Sequence, residues 1–401
     1  MTQSSADSSY SDLLGDVFTA SILIVDDMVL MQKMIGQCLS RAGYTNLSYA
    51  SDGDEALKII EKKCPDLVVL DLNMPKVSGY EVCRTLRANP DYKNLPILVQ
   101  SAAETAKERT EVFNVGGTDF VSKPINQPEL LARVRMHLEN KFLISNLSAF
   151  HARVRSELDM AREMQQDILP SRPILNNLED KYGVSIEAFY QASSELGGDL
   201  WGIWDLPNNH LGFYVLDVSG HGVGAALNTF RAHSAMAMLD DYKLDPAVFL
   251  DHLNQKLVKD FPTGSFATMF YGVVNLDTHK MTFAGAGAPN PLIASKSGEC
   301  CRIDSSGLPI GILKSATYEN LTHQLKAGDL IFSYSDVLLE AVGKDGNFLG
   351  DEGLEKLFKK IIRKTDHSAD KKVIRFLLDK FFSTQTEKQL DDDLTAVGIY
   401  L

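Results

Sequence analysis

The chain has 401 residues, 44% apolar and 23% charged, with a formal net charge of −13; this length favours two or three domains over a single core. The acidic balance argues against a nucleic-acid partner, which needs a basic face to neutralise phosphates, and the clusters KLFKKIIRK (356–364) and DKK near 371 read as solvated helix faces. No apolar run is long enough to cross a bilayer, so no membrane association is expected.

The five cysteines, Cys38, Cys64, Cys83, Cys300 and Cys301, show neither C-x-x-C nor Cys/His spacing and are expected to be free structural thiols. Residues 1–17 lack the basic and apolar regions of a secretory signal. They are expected to be a disordered lead-in, and a cytoplasmic location follows.

From 18 to 138, short apolar runs alternate with helical patterns. ILIV (22–25), LVVL (67–70), ILVQ (97–100) and FVS (120–122) have the character of strands buried on both faces. MQKMIGQCLSRAG, DEALKIIEKK and YEVCRTLRA carry apolar residues at helical spacing. Such alternation predicts a doubly wound parallel sheet, with ligands at the carboxyl ends of its strands. Asp26, Asp27 and Asp71 fall at those ends, as do Ser101 and Lys123-Pro124. Three gathered carboxylates repel one another unless a cation lies among them, and oxygen donors favour Mg²⁺ or Mn²⁺. A lysine and a hydroxyl nearby would hold a phosphoryl group placed on one of the acids.

The ordered blocks VDD, LDLNMP, SAA and SKP resemble the receiver domain of two-component response regulators, a flavodoxin-like fold. The resemblance implies that Asp71 is the phosphoacceptor and that Asp26, Asp27, Asp71 and the Asn73 carbonyl hold Mg²⁺. It further implies that Ser101 and Lys123 contact the phosphoryl oxygens, that Phe120 is the aromatic switch, and that a histidine kinase is the partner.

Residues 139–170 form the connector. Between Pro128 and Pro170 there is neither Pro nor Gly, which predicts a long helix. Leu147, Phe150, Val154, Ala161, Met164 and Ile168 recur at alternating three- and four-residue steps, interrupted at Glu157. That seam is expected to pair with a second copy as a short coiled coil, making a homodimer, or else to fold onto a neighbouring domain.

From 171 to 401 the runs become β-rich: VSIEAFYQA, HLGFYVLDVS, ATMFYGVVNLD, HKMTFAGAG, DLIFSYSD and LTAVGIYL. Helical segments lie between them and near 353–363 and 368–382, predicting an α+β domain in which helices cover a sandwich of two sheets. Acids again fall at strand ends: Asp199, Asp217, Asp336 and Asp391 to Asp393. A carboxylate at the end of an apolar strand is poorly solvated unless it caps a helix or binds a cation. If these acids converge they would hold two divalent metals, which can activate a bridging water against a phosphate ester.

The stretch SELGGDLWGIW (Ser194–Trp204) admits two readings, a nucleotide cyclase signature or the first acidic corner of a metal-dependent phosphatase. A cyclase signature would continue with an acidic residue and Phe, whereas Leu200 and Trp201 follow here. The blocks MQQDILP, GGDLWG, DVSGHGVGAAL, GLPIGI (307–312), LKAGDLIFSYSD and DDLT resemble the protein phosphatase 2C superfamily, in particular its bacterial sporulation stage II E branch. The resemblance implies an α-β-β-α sandwich and two Mn²⁺ or Mg²⁺ ions. Asp217 would bridge both and the Val218 carbonyl coordinate one, with Asp336 and Asp392 completing the second site and Asp199 close to the first; Asp199 and Asp217 are then the catalytic acids.

Three positions depart from the family pattern: Gly202, Val337, and Ala288 within GAPNP. His221 and His233 are expected to be structural rather than ligands. The expected function is a response regulator whose phosphorylation on Asp71 controls a protein serine/threonine phosphatase, with an anti-sigma-factor antagonist as the leading substrate. The alternative is a phosphatase-fold scaffold, weak or dead as a catalyst, that binds a partner under receiver control.

Overall fold

The computed structural model describes residues 17–101, 106–340, 349–363, 373–384 and 390–401. Ala102 and Ala103 of the SAA block, the lead-in up to 16, the DKK cluster and the first part of the 368–382 segment lie outside the described residues. The chain divides into two compact units between Val154 and Arg155.

In the first unit, β1 (Ser21–Val25), β2 (Asn46–Ala50), β3 (Leu67–Asp71), β4 (Ile97–Ser101) and β5 (Asp119–Ser122) pair in the order β2-β1-β3-β4-β5. All four pairings are parallel. Alternate residues of these strands enter two cores. Leu23, Val25, Val68, Leu70 and Val99 face one, with Ile60 and Leu86 from α2 (Gly53–Lys62) and α3 (Gly79–Ala88). Ile22, Ile24, Val69 and Leu98 face the other, with Ile35 and Leu39 from α1 (Val29–Arg41). Burial on both faces is why these strands are continuously apolar rather than alternating. Asp52 caps α2 through the Glu55 amide, and Ser78 with Glu81 forms a capping box on α3. Val17, placed by the sequence reading in the disordered lead-in, is 1% exposed and packs in the second of these cores. The helix α4 (Ala106–Asn114) precedes β5.

The connector is one helix, α5 (Gln127–Asp167), which begins before residue 139. Its first turns, through Leu130, Val134 and Leu138, complete the second core of the first unit. Asp119 fastens them there: both its carboxylate oxygens accept from Arg133 Nη1 at 2.7 Å, and His137 Nε2 is 3.0 Å away. Along the seam Leu147, Phe150 and Met164 are exposed, whereas Ile168 packs into the core of the second unit.

The second unit opens with a helix, α6 (Arg172–Tyr182), where the sequence reading saw the β-rich pattern beginning. Pro173 in its first turn favours the helix and Gly183, at φ 67°, ends it in the left-handed region. Two antiparallel sheets follow. One orders β13 (Leu321–Gln324), β10 (Lys280–Ala286), β9 (Ala267–Asn275), β8 (His210–Val218) and β7 (Asp199–Leu206). The other orders β12 (Cys300–Arg302), β11 (Leu292–Ala294), β14 (Leu330–Tyr334), β15 (Leu394–Tyr400) and β6 (Ser185–Gln191). Phe213, Phe270 and Phe283 of the first sheet meet Ile293, Ile331 and Ile399 of the second. The outer face of the first sheet carries α7 (Gly222–Ala237) and α8 (Pro246–Asp260), which bury Ala232, Phe249 and Leu253. The outer face of the second carries α10 (Gly350–Ile362) and α11 (Val373–Thr384) through Phe358, Leu377 and Phe381. The short α9 (Val337–Glu340) follows β14. This is the α-β-β-α sandwich expected from the sequence.

Part of GLPIGI is explained by a backbone crossing. A Cβ on Gly285 would stand 1.6 Å from the Ser305 carbonyl oxygen, and one on Gly307 would stand 2.0 Å from the Gly285 oxygen. Gly285→Ala is therefore expected to destabilise the domain by about 1–3 kcal/mol or more through overpacking against backbone; an unchanged urea midpoint would contradict this.

Candidate phosphoacceptor and metal sites

The carboxyl ends of β1 and β3 bring Asp26, Asp27 and Asp71 together, with one oxygen of each within 4.8 Å of the others. Asp26 and Asp71 are buried and Asp27 is exposed. Lys123, just after β5, places Nζ 2.7 Å from Asp71 Oδ2 and 3.9 Å from Asp26 Oδ2. Asp26 Oδ1 accepts from the Met28 amide at 2.9 Å, but its buried Oδ2 has no hydrogen-bond partner. Burial pushes the Asp26 carboxyl above its ordinary value; the Met28 amide opposes this and the Asp71 charge adds to it. An orphaned, buried carboxylate oxygen beside two further acids fits an oxygen-liganded cation.

The Asn73 backbone amide donates to Asp71 Oδ1 at 3.3 Å, a local turn two residues on from the acid. Ser101 ends β4 and pairs in register with Ser122. Phe120 lies edge-on to Phe113, with centroids 6.1 Å apart, and under the Arg133 guanidinium at 5.5 Å. The sequence reading missed Gln32, whose buried Nε2 donates to the Asp26 carbonyl at 2.7 Å and the Ala50 carbonyl at 3.0 Å. A glutamine inside the apolar stripe of α1 was the available signal.

In the sandwich, Asp199 opens β7 and Asp217 lies near the end of β8, directly opposite in the antiparallel ladder. Like charges so placed are destabilising without a counter-ion. Asp336 and Asp392 stand just beyond β14 and just before β15, adjacent strands at the same end of the other sheet. The Thr395 hydroxyl joins the two sheets by donating to Asp199 Oδ2 at 2.6 Å. Burial and the Asp217 charge hold Asp199 well above the usual carboxylate range. Burial, then the charges of Asp336, Asp392 and Asp393, push Asp217 up to about 7. Burial and the Glu340 charge push Asp336 to about 6, and burial also raises Asp392. The acids are close enough to perturb one another, a donor set that suits divalent cations.

The members of the triplet DDD differ in environment, and Asp391 is exposed. Asp393 is buried and accepts from the Ser193 amide at 2.7 Å and from the Gly198 and Asp199 amides, so it holds the GGD corner. Asp392 is half-buried and feels His221, the residue preceding α7, which makes no side-chain cap bond. His233 is half-buried with its Nδ1 unpartnered, and burial lowers its pKa. Glu340, not among the acids singled out in the sequence, lies four residues after Asp336 on α9; that spacing was legible.

The glycines of the corner are steric. A Cβ on Gly197 would lie 2.4 Å from Tyr190 Oη, and one on Gly198 would lie 2.7 Å from the Val218 carbonyl oxygen. The three departures have packing reasons. A Cβ on Gly202 would meet the Tyr214 ring at 2.3 Å, so the place of a further acid is filled by an aromatic. Val337 is buried in the helix-covered core, and Ala288 packs against the core between the sheets.

A flavodoxin-like sheet with an acid-lined strand end and a four-layer sandwich with acids between its sheets define a receiver joined to a protein phosphatase 2C-type domain. Residues 22–135 match the family described as "Response regulator receiver domain", and residues 207–401 match "Stage II sporulation protein E (SpoIIE)". The chain thus carries a receiver domain over 22–135 and a stage II sporulation protein E-type, protein phosphatase 2C-like domain over 207–401. It is 37% identical over 123 residues to "Transcriptional regulatory protein YvrH" of Bacillus subtilis (strain 168), covering 31% of this chain and 51% of that one. It is 44% identical over 114 residues to "Response regulator MprA" of Mycobacterium sp. (strain KMS), covering 28% and 48%. The chain thus spans about half the length of these curated relatives, over the receiver. The solved "SiaA-PP2C domain of Pseudomonas aeruginosa" superposes with a TM-score of 0.54 at 21% identity, covering 63% of this chain and 98% of that one, a likeness of fold.

Proposed function

We propose that phosphorylation of Asp71 by a histidine kinase controls hydrolysis of phosphoserine or phosphothreonine on a regulatory protein, with an anti-sigma-factor antagonist as the leading candidate. The observation that carries this reading is the facing pair of buried Asp199 and half-buried Asp217, with half-buried Asp336 and Asp392 at one end of the other sheet, all raised in pKa by burial and by neighbouring acids. Asp199, Asp217, Asp336, Asp392 and the Val218 carbonyl would hold two Mn²⁺ or Mg²⁺ ions. When bound, such a pair supplies an activated water and neutralises the phosphate ester. Around it, Asp393 and Thr395 keep the Asp199 carboxylate aimed at Asp217.

In the receiver, Asp26, Asp27, Asp71 and the Asn73 carbonyl would hold Mg²⁺. Asp71 Oδ would take the phosphoryl group. Lys123, already on Asp71 Oδ2, would balance its charge, Ser101 would contact it, and Phe120 would report its presence. The exposed Leu143, Leu147, Phe150 and Met164 on α5 support pairing with a second copy in a cytoplasmic homodimer. Among the described residues no helix is long and apolar enough to cross a membrane.

The full-length chain is expected to hydrolyse an aryl phosphate and a phosphoserine peptide only with Mn²⁺ or Mg²⁺ present. Beryllofluoride, which mimics the phosphorylated receiver, is expected to change the rate. No divalent-dependent turnover on either substrate, with or without beryllofluoride, would replace this reading with that of a receiver-gated scaffold.

A further inference from the structure

Gln165 lies two residues before the end of α5 and is 2% exposed. Its amide closes on one peptide: Nε2 donates to the Gly197 carbonyl oxygen at 2.6 Å, and Oε1 accepts from the Gly197 amide at 3.0 Å. Gly197 is two residues from Asp199. The rest of that corner is held from within the sandwich. Asp393 accepts from the Gly198 and Asp199 amides, and the Gly198 carbonyl accepts from Thr229 Oγ1 at 2.7 Å. Among the described side chains that bond to the Gly197, Gly198 and Asp199 peptides, Gln165 alone is carried by α5.

We propose that Gln165 is a positioning residue for the cation site, setting through the Gly197 peptide where the Asp199 carboxylate stands. This rests on the reading above that Asp199 belongs to a metal site. An apolar residue at 165 leaves an amide and a carbonyl of Gly197 buried and unpaired, so the peptide must turn to find partners. It has little room to do so without moving its neighbours, because Tyr190 Oη and Asp393 Oδ2 occupy the place where a Cβ on Gly197 would stand. The helix that carries Gln165 begins at Gln127, and in its last turn it is hydrogen-bonded to the GGD corner.

The test is Mn²⁺ titration calorimetry on the full-length chain carrying Asp26→Ala, which removes an acid of the receiver's own cation site. In that background Gln165→Met is expected to weaken Mn²⁺ binding by about 10–100-fold, as loss of an outer-shell partner does. Gln165→Glu, which sets a carboxylate oxygen against the Gly197 carbonyl, should weaken it as well. Arg162→Ala is the control: Arg162 Nε donates to the Glu195 carbonyl at 2.8 Å, tying the same helix to the same loop but not to the GGD peptides, and Mn²⁺ affinity should be unchanged. Wild-type Mn²⁺ affinity in a cooperatively folded Gln165→Met overturns the proposal; if Gln165→Met does not fold, wild-type affinity in Gln165→Glu does so. If the parent with Gln165 intact binds no Mn²⁺, both this proposal and the enzyme reading fall. Unchanged affinity confined to the Gln165 variants overturns this one alone.

Discussion

Asp217→Asn is expected to remove divalent-dependent phosphatase turnover, by more than the roughly 10–100-fold that follows loss of an outer-shell partner. The substituted amide has the size of the carboxylate, so the β7–β8 ladder, where Asp217 faces Asp199, is retained. What is lost is the charge that faces Asp199 across the ladder. A second readout separates loss of chemistry from loss of fold. With one of the mutually repelling acids neutralised, the metal-free variant should melt at a temperature equal to or above that of the parent. Full turnover in Asp217→Asn would end the two-cation reading; a lowered metal-free melting temperature would show that Asp217 supports the fold instead.

The metal-free protein is expected to be more stable near about pH 5 than near about pH 8, and Mn²⁺ to reverse that order. Burial and neighbouring charges push Asp217 up to about 7 and Asp336 to about 6. A carboxyl whose pKa is higher folded than unfolded binds its proton more tightly in the folded chain. Its contribution to stability is complete below the unfolded value, near pH 4, and disappears as pH rises through the folded value. At about 1.4 kcal/mol per unit, the roughly three-unit rise at Asp217 corresponds to about 4 kcal/mol at most. A bound cation removes the repulsion and stabilises the ionised form, so Mn²⁺ should raise the melting temperature more at the higher pH. The acids that hydrogen bonds and ion pairs hold below the ordinary value despite burial, Asp66 and Asp119, act with the opposite sign but only below about pH 4. Melting curves in EDTA and in Mn²⁺ across this range decide the matter; a flat EDTA profile from about pH 5 to pH 8 would sink it.

Both folds were legible before any coordinates. Continuous apolar runs between helical repeats specify a parallel sheet covered on both faces, because a strand buried on two sides has no polar alternation. Long β-rich runs interleaved with helices specified the sandwich. The acids were legible because a charged residue ending an apolar strand needs a reason. Less visible was α6, an 11-residue helix at the point where the β-rich pattern was read as beginning, because so short a helical period is overshadowed by the strand-like runs that follow it. Val17 was read as lead-in because the few apolar residues around it, Leu13, Leu14 and Phe18, set no sustained period.

The order and spacing of acids along the chain determine which carboxylates are available. They do not determine which of three consecutive aspartates turns outward. Asp392 faces the acid cluster and Asp393 turns into the GGD corner because β15 begins after them and Thr395 must reach Asp199. Nor does local sequence hold the reason for Gly197 and Gly198, whose Cβ positions are taken by Tyr190 and by the Val218 carbonyl of another strand. The partner of Gln165 is likewise 32 residues away. Periodicity reports what a residue does with its neighbours in the chain, which sets the elements and their buried faces. The approach of one peptide to another across sheets and helix ends is set only when those faces close on one another, and there the sites acquire their geometry.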